Sequence, residues 1–194
     1  MIIIEGIDKT GKSTICKKLE SEFPFLHCFR ISRPAKDSRF SMHQTQYWKE
    51  FSLIQKAEIE LITKLREEGQ LRNLILDRFH ASEYAYLEEG EEKDLNYIWD
   101  IDRRLGEISP PPIIILLHAP VEWIEDRLGE DELKMFSPKH VKRYSERFHE
   151  FGRNTKIPQL QLVSSFYNID ELYYQVSKFV IKSMPYLFKE AAHK

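Results

Sequence analysis

The sequence predicts an α/β fold, a five-stranded parallel sheet with helices on both faces. Three observations predict it. Short apolar runs alternate with helical periodicities along the chain, and the first run enters a glycine-bounded loop that opens a helix. The third is size: 194 residues suit one core, so residues 1–194 are expected to form a single domain.

The strand candidates are Ile2–Glu5, His27–Ile31, Asn73–Asp77, Ile113–His118 and Gln159–Val163. The first is continuously apolar up to Ile4 and the fourth up to Leu117, as strands buried on both faces are. Between them, Ile15, Cys16 and Leu19 recur at helical spacing. Trp48, Phe51, Ala57, Leu61 and Leu65 fall near one face of a long helix ending at Gly69. Val141, Tyr144, Phe148 and Phe151 mark another helix, and Leu172, Val176, Phe179 and Val180 a further one. Ligands of such sheets gather at the carboxyl ends of the strands, and that rule selects residues.

Strand one runs into Gly6-Ile7-Asp8-Lys9-Thr10-Gly11-Lys12-Ser13, which fits the phosphate-loop pattern G-x-x-x-x-G-K-[ST]. Gly6 and Gly11 permit backbone angles and approaches that a Cβ would block. Successive N–H groups and the positive end of the next helix suit a polyphosphate. Lys12 would reach the β- and γ-phosphates, and Ser13 would place its hydroxyl on Mg²⁺. Strand three ends in Asp77-Arg78-Phe79, and Asp77 is placed to hold the same Mg²⁺. The loop is therefore expected to bind a nucleotide.

Composition narrows the classes. A net charge of -2 argues against a general nucleic-acid-binding surface. No apolar run approaches the ~20 residues of a membrane span. Cys16 and Cys28 make no disulfide framework, so a reducing, cytoplasmic compartment is expected. A GTPase would need a guanine-reading N-K-x-D after a strand, and the sequence has none. A small kinase instead closes a cationic lid over the phosphates, and Val121 to Phe136 supplies a candidate carrying Arg127 and Lys134.

Together these residues resemble a known family. Glu5-Gly6-Ile7-Asp8-Lys9-Thr10-Gly11-Lys12-Ser13-Thr14 is similar to the E-G-x-D-x-x-G-K-S-T opening of thymidylate kinases, and Asp77-Arg78-Phe79 to their D-R-[YF] motif. Phe51-Ser52 stands like their F-S-x-x-R helix start, and the resemblance extends through the lid to Phe148-His149. It implies a P-loop kinase fold with a short lid at about residues 125–137, usually as a homodimer. It also implies transfer of the ATP γ-phosphate, with Mg²⁺, to a deoxynucleoside monophosphate, dTMP first.

Carried over by position, Lys12, Lys9, Arg78 and Arg127 would be catalytic. ATP would be bound by Gly6, Asp8, Lys9, Thr10, Gly11, Lys12, Ser13, Thr14 and Arg127. Asp8 would touch the acceptor sugar, Arg78 and Arg33 the acceptor phosphate, and Tyr86 would pack beside the sugar. Phe51 would stack on the base, while Gln55, Ser82 and Glu83 would read its edge. There are departures from the family pattern. Gln55 replaces its arginine, Lys9 stands where some members have arginine, and Glu83 stands where some have a small or amide residue. They leave two alternatives open: a kinase for another deoxynucleotide or a deoxynucleoside, and a P-loop regulator that hydrolyses little.

Overall fold

The computed structural model describes residues 1–31, 44–87, 95–129 and 137–191. Five strands, β1 (Ile2–Gly6), β2 (His27–Arg30), β3 (Leu74–Asp77), β4 (Ile113–His118) and β5 (Gln159–Val163), form one sheet in the order β2-β3-β1-β4-β5. Every neighbouring pair is parallel, as expected. The expected boundaries move by one residue: β1 takes in Gly6, β2 stops before Ile31, and β3 starts at Leu74. The helices are α1 (Lys12–Glu22), α2 (Gln44–Glu67), α3 (His80–Tyr86), α4 (Leu95–Glu107), α5 (Val121–Glu125), α6 (Pro138–Asn154), α7 (Ile169–Ser183) and α8 (Pro185–Ala191).

Strand alternation sorts the apolar side chains into two cores. Ile2, Ile4, Ile115 and Leu117 meet Ile15, Leu19, Leu172 and Val176 on the face covered by α1 and α7. Ile3, Leu76, Ile114 and Leu116 meet Ile98, Ile101, Phe148 and Phe151 on the other. Each such side chain contributes roughly 1.5–3 kcal/mol by leaving water. Because both faces are covered, the inner strands β1, β3 and β4 need no polar alternation, whereas the edge strands β2 and β5 are only partly buried. No helix among the described residues is long and apolar enough to cross a membrane.

The face of α2 corrects the expectation. Its buried side is Ile59, Ile62, Thr63 and Arg66, whereas Ala57 and Leu61 face outward. Leu53, Ile54 and Leu61 are 66%, 52% and 58% exposed. The helix carries apolar residues on two sides, so periodicity alone could not choose which one packs on the sheet.

A buried polar cluster ties α3 to α4 and to the segment after α6. Asp102 Oδ1 accepts from Thr155 Oγ1 at 2.6 Å and lies 3.0 Å from His80 Nε2. Burial would raise the Asp102 pKa, but His80, Thr155 and the Lys156 N–H outweigh it, and the carboxyl is held below its ordinary value.

Candidate active site

The carboxyl ends of β1 and β3 build the site. Gly6 ends β1 with φ 135°, and a Cβ there would lie 2.1 Å from the Leu117 carbonyl oxygen of β4. Only glycine fits. Lys9 and Gly11 follow at φ 69° and 92°, so the loop turns back on itself before entering α1. Gly11 is the N-cap of α1, and no side chain caps that helix. Its first-turn N–H groups and positive dipole end suit an anion.

Internal bonds hold the loop. Lys12 is buried and donates to the Ile7 carbonyl at 2.6 Å, and Thr10 Oγ1 donates to the same oxygen at 2.8 Å. Ser164, just past β5, donates its hydroxyl to the Thr10 carbonyl at 2.9 Å. Thr14 is exposed in the first turn of α1.

Ser13 and Asp77 are brought together as expected. The Ser13 hydroxyl donates to Asp77 Oδ2 at 2.7 Å, while Asp77 Oδ1 is buried without a hydrogen-bond partner. A hard cation takes oxygen ligands, and Mg²⁺ commonly uses one or two protein oxygens plus phosphates. A hydroxyl beside a carboxylate with an unsatisfied oxygen fits that ion. Arg30, at the end of β2, stands 3.9 Å from Asp77 Oδ2.

Arg78 is buried and adopts φ 79°, a left-handed conformation rare outside glycine. Three successive residues of β1 hold it and its neighbour. The Arg78 N–H donates to the Ile4 carbonyl at 3.0 Å, the Phe79 N–H to Glu5 Oε1 at 2.6 Å, and Arg78 NH1 to the Gly6 carbonyl at 3.0 Å. The guanidinium also donates to Tyr86 OH at 2.9 Å, Ser82 Oγ at 3.3 Å and Asp8 Oδ1 at 2.5 Å. Burial alone would lower its pKa. Tyr86, Asp8 and Glu5 outweigh burial, and the group is held above its ordinary value. Its Nε–H is buried and has no partner.

The remaining expected residues divide. Ser82 points inward, its hydroxyl donating to Glu5 Oε2 at 2.6 Å. Glu83, the next residue on α3, is half-buried and acts on Tyr97 of α4. Burial first, then Glu60 and Glu83, push the Tyr97 phenol above its ordinary pKa. Gln55 is half-buried on α2. Tyr86 packs edge-on against Tyr144, with ring centroids 4.7 Å apart. Beside it runs a narrow cleft lined by Ile7, Asp8, Tyr86, Ile124, Leu128 and Val141.

Arg127 is exposed, with its guanidinium 3.5 Å from the Trp123 ring centre, at the base of the expected lid. Arg33, the Phe51 side chain, Lys134 and lid residues 130–136 lie outside the described residues. Sequence reasoning does not select Glu5 or Arg30 as site residues, although each carries a signal. An acid ending a buried strand must find donors, and a cation ending β2 stands at the ligand edge.

The chain is similar to known proteins. The chain is 30% identical over 133 residues to a probable thymidylate kinase of Metallosphaera sedula, an alignment spanning 66% of this chain and 65% of that protein. Among solved structures, the YorR protein of Bacillus subtilis, in complex with phosphorylated GDP, superposes with TM-score 0.62 at 21% identity, covering 92% of this chain and 94% of that one. Thymidylate kinase from Candida albicans gives TM-score 0.58 at 18% identity, covering 93% and 90%. Deoxyadenosine kinase from M. mycoides with bound dCTP gives 0.59 at 16%, covering 94% and 100%. These likenesses establish the P-loop kinase fold. The sequence profile named Thymidylate kinase matches residues 4–166, from β1 to just past β5, and the chain belongs to the thymidylate kinase family.

Proposed function

We propose that the protein transfers the γ-phosphate of ATP to the phosphate of a deoxynucleoside monophosphate, with dTMP as the preferred acceptor. One observation carries the reading. Two buried cations, Lys12 in the phosphate loop and Arg78 after β3, stand at adjacent strand ends, both held by β1 and its loop. One suits a donor phosphate and the other an acceptor phosphate.

In this reading Gly6, Thr10, Gly11 and Thr14 shape the loop whose N–H groups take the donor phosphates. Lys12 leaves the Ile7 carbonyl for the β- and γ-oxygens. Arg78 offers its unpartnered Nε–H to the acceptor phosphate, and Arg33 adds a second cation. Asp8 accepts from the sugar hydroxyl, with Tyr86 packed alongside. Lys9 from the loop and Arg127 from the lid approach the transferred group from opposite sides. Phe51 stacks on the base, and Gln55 and Glu83 read its edge. Mg²⁺, held by Ser13 and Asp77 together with the phosphates, would neutralise charge developing on their oxygens.

The Candida albicans thymidylate kinase has broad substrate specificity, and the departures at Gln55 and Glu83 suit a broadened acceptor range here too. We further propose a cytoplasmic homodimer that acts on nucleotides and not on nucleic acid. Two free cysteines support a reducing compartment, and the outward apolar stripe of α2 supports pairing with a second copy.

The test is ATP consumption by the purified protein with dTMP, dUMP, dGMP, dCMP, thymidine or deoxyadenosine as acceptor. Turnover that requires a monophosphate, fastest with dTMP, is the expected result. Turnover only with a nucleoside, or ATP hydrolysis indifferent to acceptor, would overturn it.

A further inference from the structure

Glu5 is fully buried at the end of β1, and the reading above gives it no task. A carboxylate is there despite the cost of burying charge, so its partners identify what it does. It accepts from the Phe79 N–H at 2.6 Å, the Ser82 N–H at 3.3 Å and the Ser82 hydroxyl at 2.6 Å. All three donors belong to the start of α3, where Phe79 as N-cap supplies no side-chain cap. Glu5 thus caps a helix from a neighbouring strand.

The bonds continue. The Ser82 oxygen that donates to Glu5 also accepts from Arg78 NH1 at 3.3 Å. A hydroxyl can do both at once, and giving its hydrogen to a carboxylate makes its oxygen a better acceptor. Glu5, Ser82 and Arg78 therefore form one polarised chain inside the protein. Gly6, the residue after Glu5, opens the phosphate loop and also takes Arg78 NH1.

We propose that Glu5 is a positioning residue for phosphoryl transfer: through Ser82 and the first turn of α3 it sets where Arg78 stands relative to the phosphate loop. The inference rests on the assignment of Arg78 to the acceptor phosphate. Ser82 then serves as a relay inside the protein and not as a reader of the base. Glu5 touches neither nucleotide. Its effect should be selective, because the bonds from Lys12 and Thr10 to the Ile7 carbonyl run outside the Glu5–Ser82–Arg78 chain.

The test compares Glu5→Gln, Glu5→Ala and Ser82→Ala with wild type in steady-state kinetics, varying ATP and the monophosphate separately, with melting temperature measured alongside. Glu5→Gln keeps the shape and one acceptor oxygen but removes the charge. Ser82→Ala cuts only the relay. For both, KM for the monophosphate should rise about tenfold and kcat fall by a similar factor, with KM for ATP within about twofold. Binding titrations should show the loss for the monophosphate and not for its nucleoside.

A lower melting temperature with unchanged kinetic constants would make Glu5 a helix cap only and overturn the proposal. So would an equal rise in both KM values. Should Glu5→Ala fail to fold, Glu5→Gln and Ser82→Ala decide. A wild-type protein that phosphorylates no monophosphate would instead sink the functional reading on which the proposal stands.

Discussion

Lys12 rests against the Ile7 carbonyl at 2.6 Å, so its ammonium is hydrogen-bonded before any phosphate arrives. Replacing it by alanine removes one bond within the loop, and Thr10 still donates to the Ile7 carbonyl. Lys12→Ala should therefore keep its melting temperature within a few degrees and lose on the order of a hundredfold or more in kcat. Circular dichroism and ATP turnover check the two halves. A folded variant with near-normal turnover would remove Lys12 from the chemistry. Glu83 makes a finer prediction. A carboxylate only accepts hydrogen bonds, whereas asparagine also donates, so Glu83→Asn should raise kcat/KM for dTMP relative to dGMP and dCMP by up to about tenfold. An unchanged ranking would show that Glu83 does not face the base.

Pairing between elements brings together what no single stretch of sequence contains. His118 ends β4 and stacks on His149 of α6, with ring centres 3.9 Å apart, and lies 3.1 Å from Gln161 Oε1 of β5. Burial first, then His149, push the His118 pKa down to about 4, while burial and Arg153 lower that of His149. The unfolded chain binds these protons more readily than the folded one, so stability is full above pH ~6.5 and falls as pH drops towards 4. The His118 share is on the order of 3 kcal/mol. Urea unfolding at pH 7 and pH 5 should show His118→Asn losing less stability on acidification than wild type, and equal losses would refute the linkage.

The same scale explains what could be read in advance. The inner strands β1, β3 and β4 were legible because burial on both faces leaves continuous apolar runs. Ser13 and Asp77 were legible because the loop motif and the strand-end rule meet there. The α2 face was not, since Ile59 and Leu61 look alike until one packs on the sheet. Nor was the inward turn of Ser82, whose partner Glu5 lies 77 positions away.

For the molecule as a whole, α2 is the surface to watch. A helix of 24 residues with Leu53, Ile54 and Leu61 exposed offers a stripe that a two-fold axis could pair with itself. Light scattering should give twice the chain mass for wild type and a single mass for Leu61→Glu. A monomeric wild type would leave the stripe without this role.

Ser82 and Glu83 are neighbours on α3, yet the Ser82 hydroxyl donates inward to Glu5, whereas Glu83 is half-buried and its charge raises the Tyr97 pKa. In the proposed function, the residues that hold the acceptor phosphate and the residue that reads the base are thus separate. A mutation at Glu83 could retune the acceptor in one step while Arg78 keeps its place. On that reading, a lineage carrying this arrangement would change its nucleotide diet without passing through an inactive ancestor.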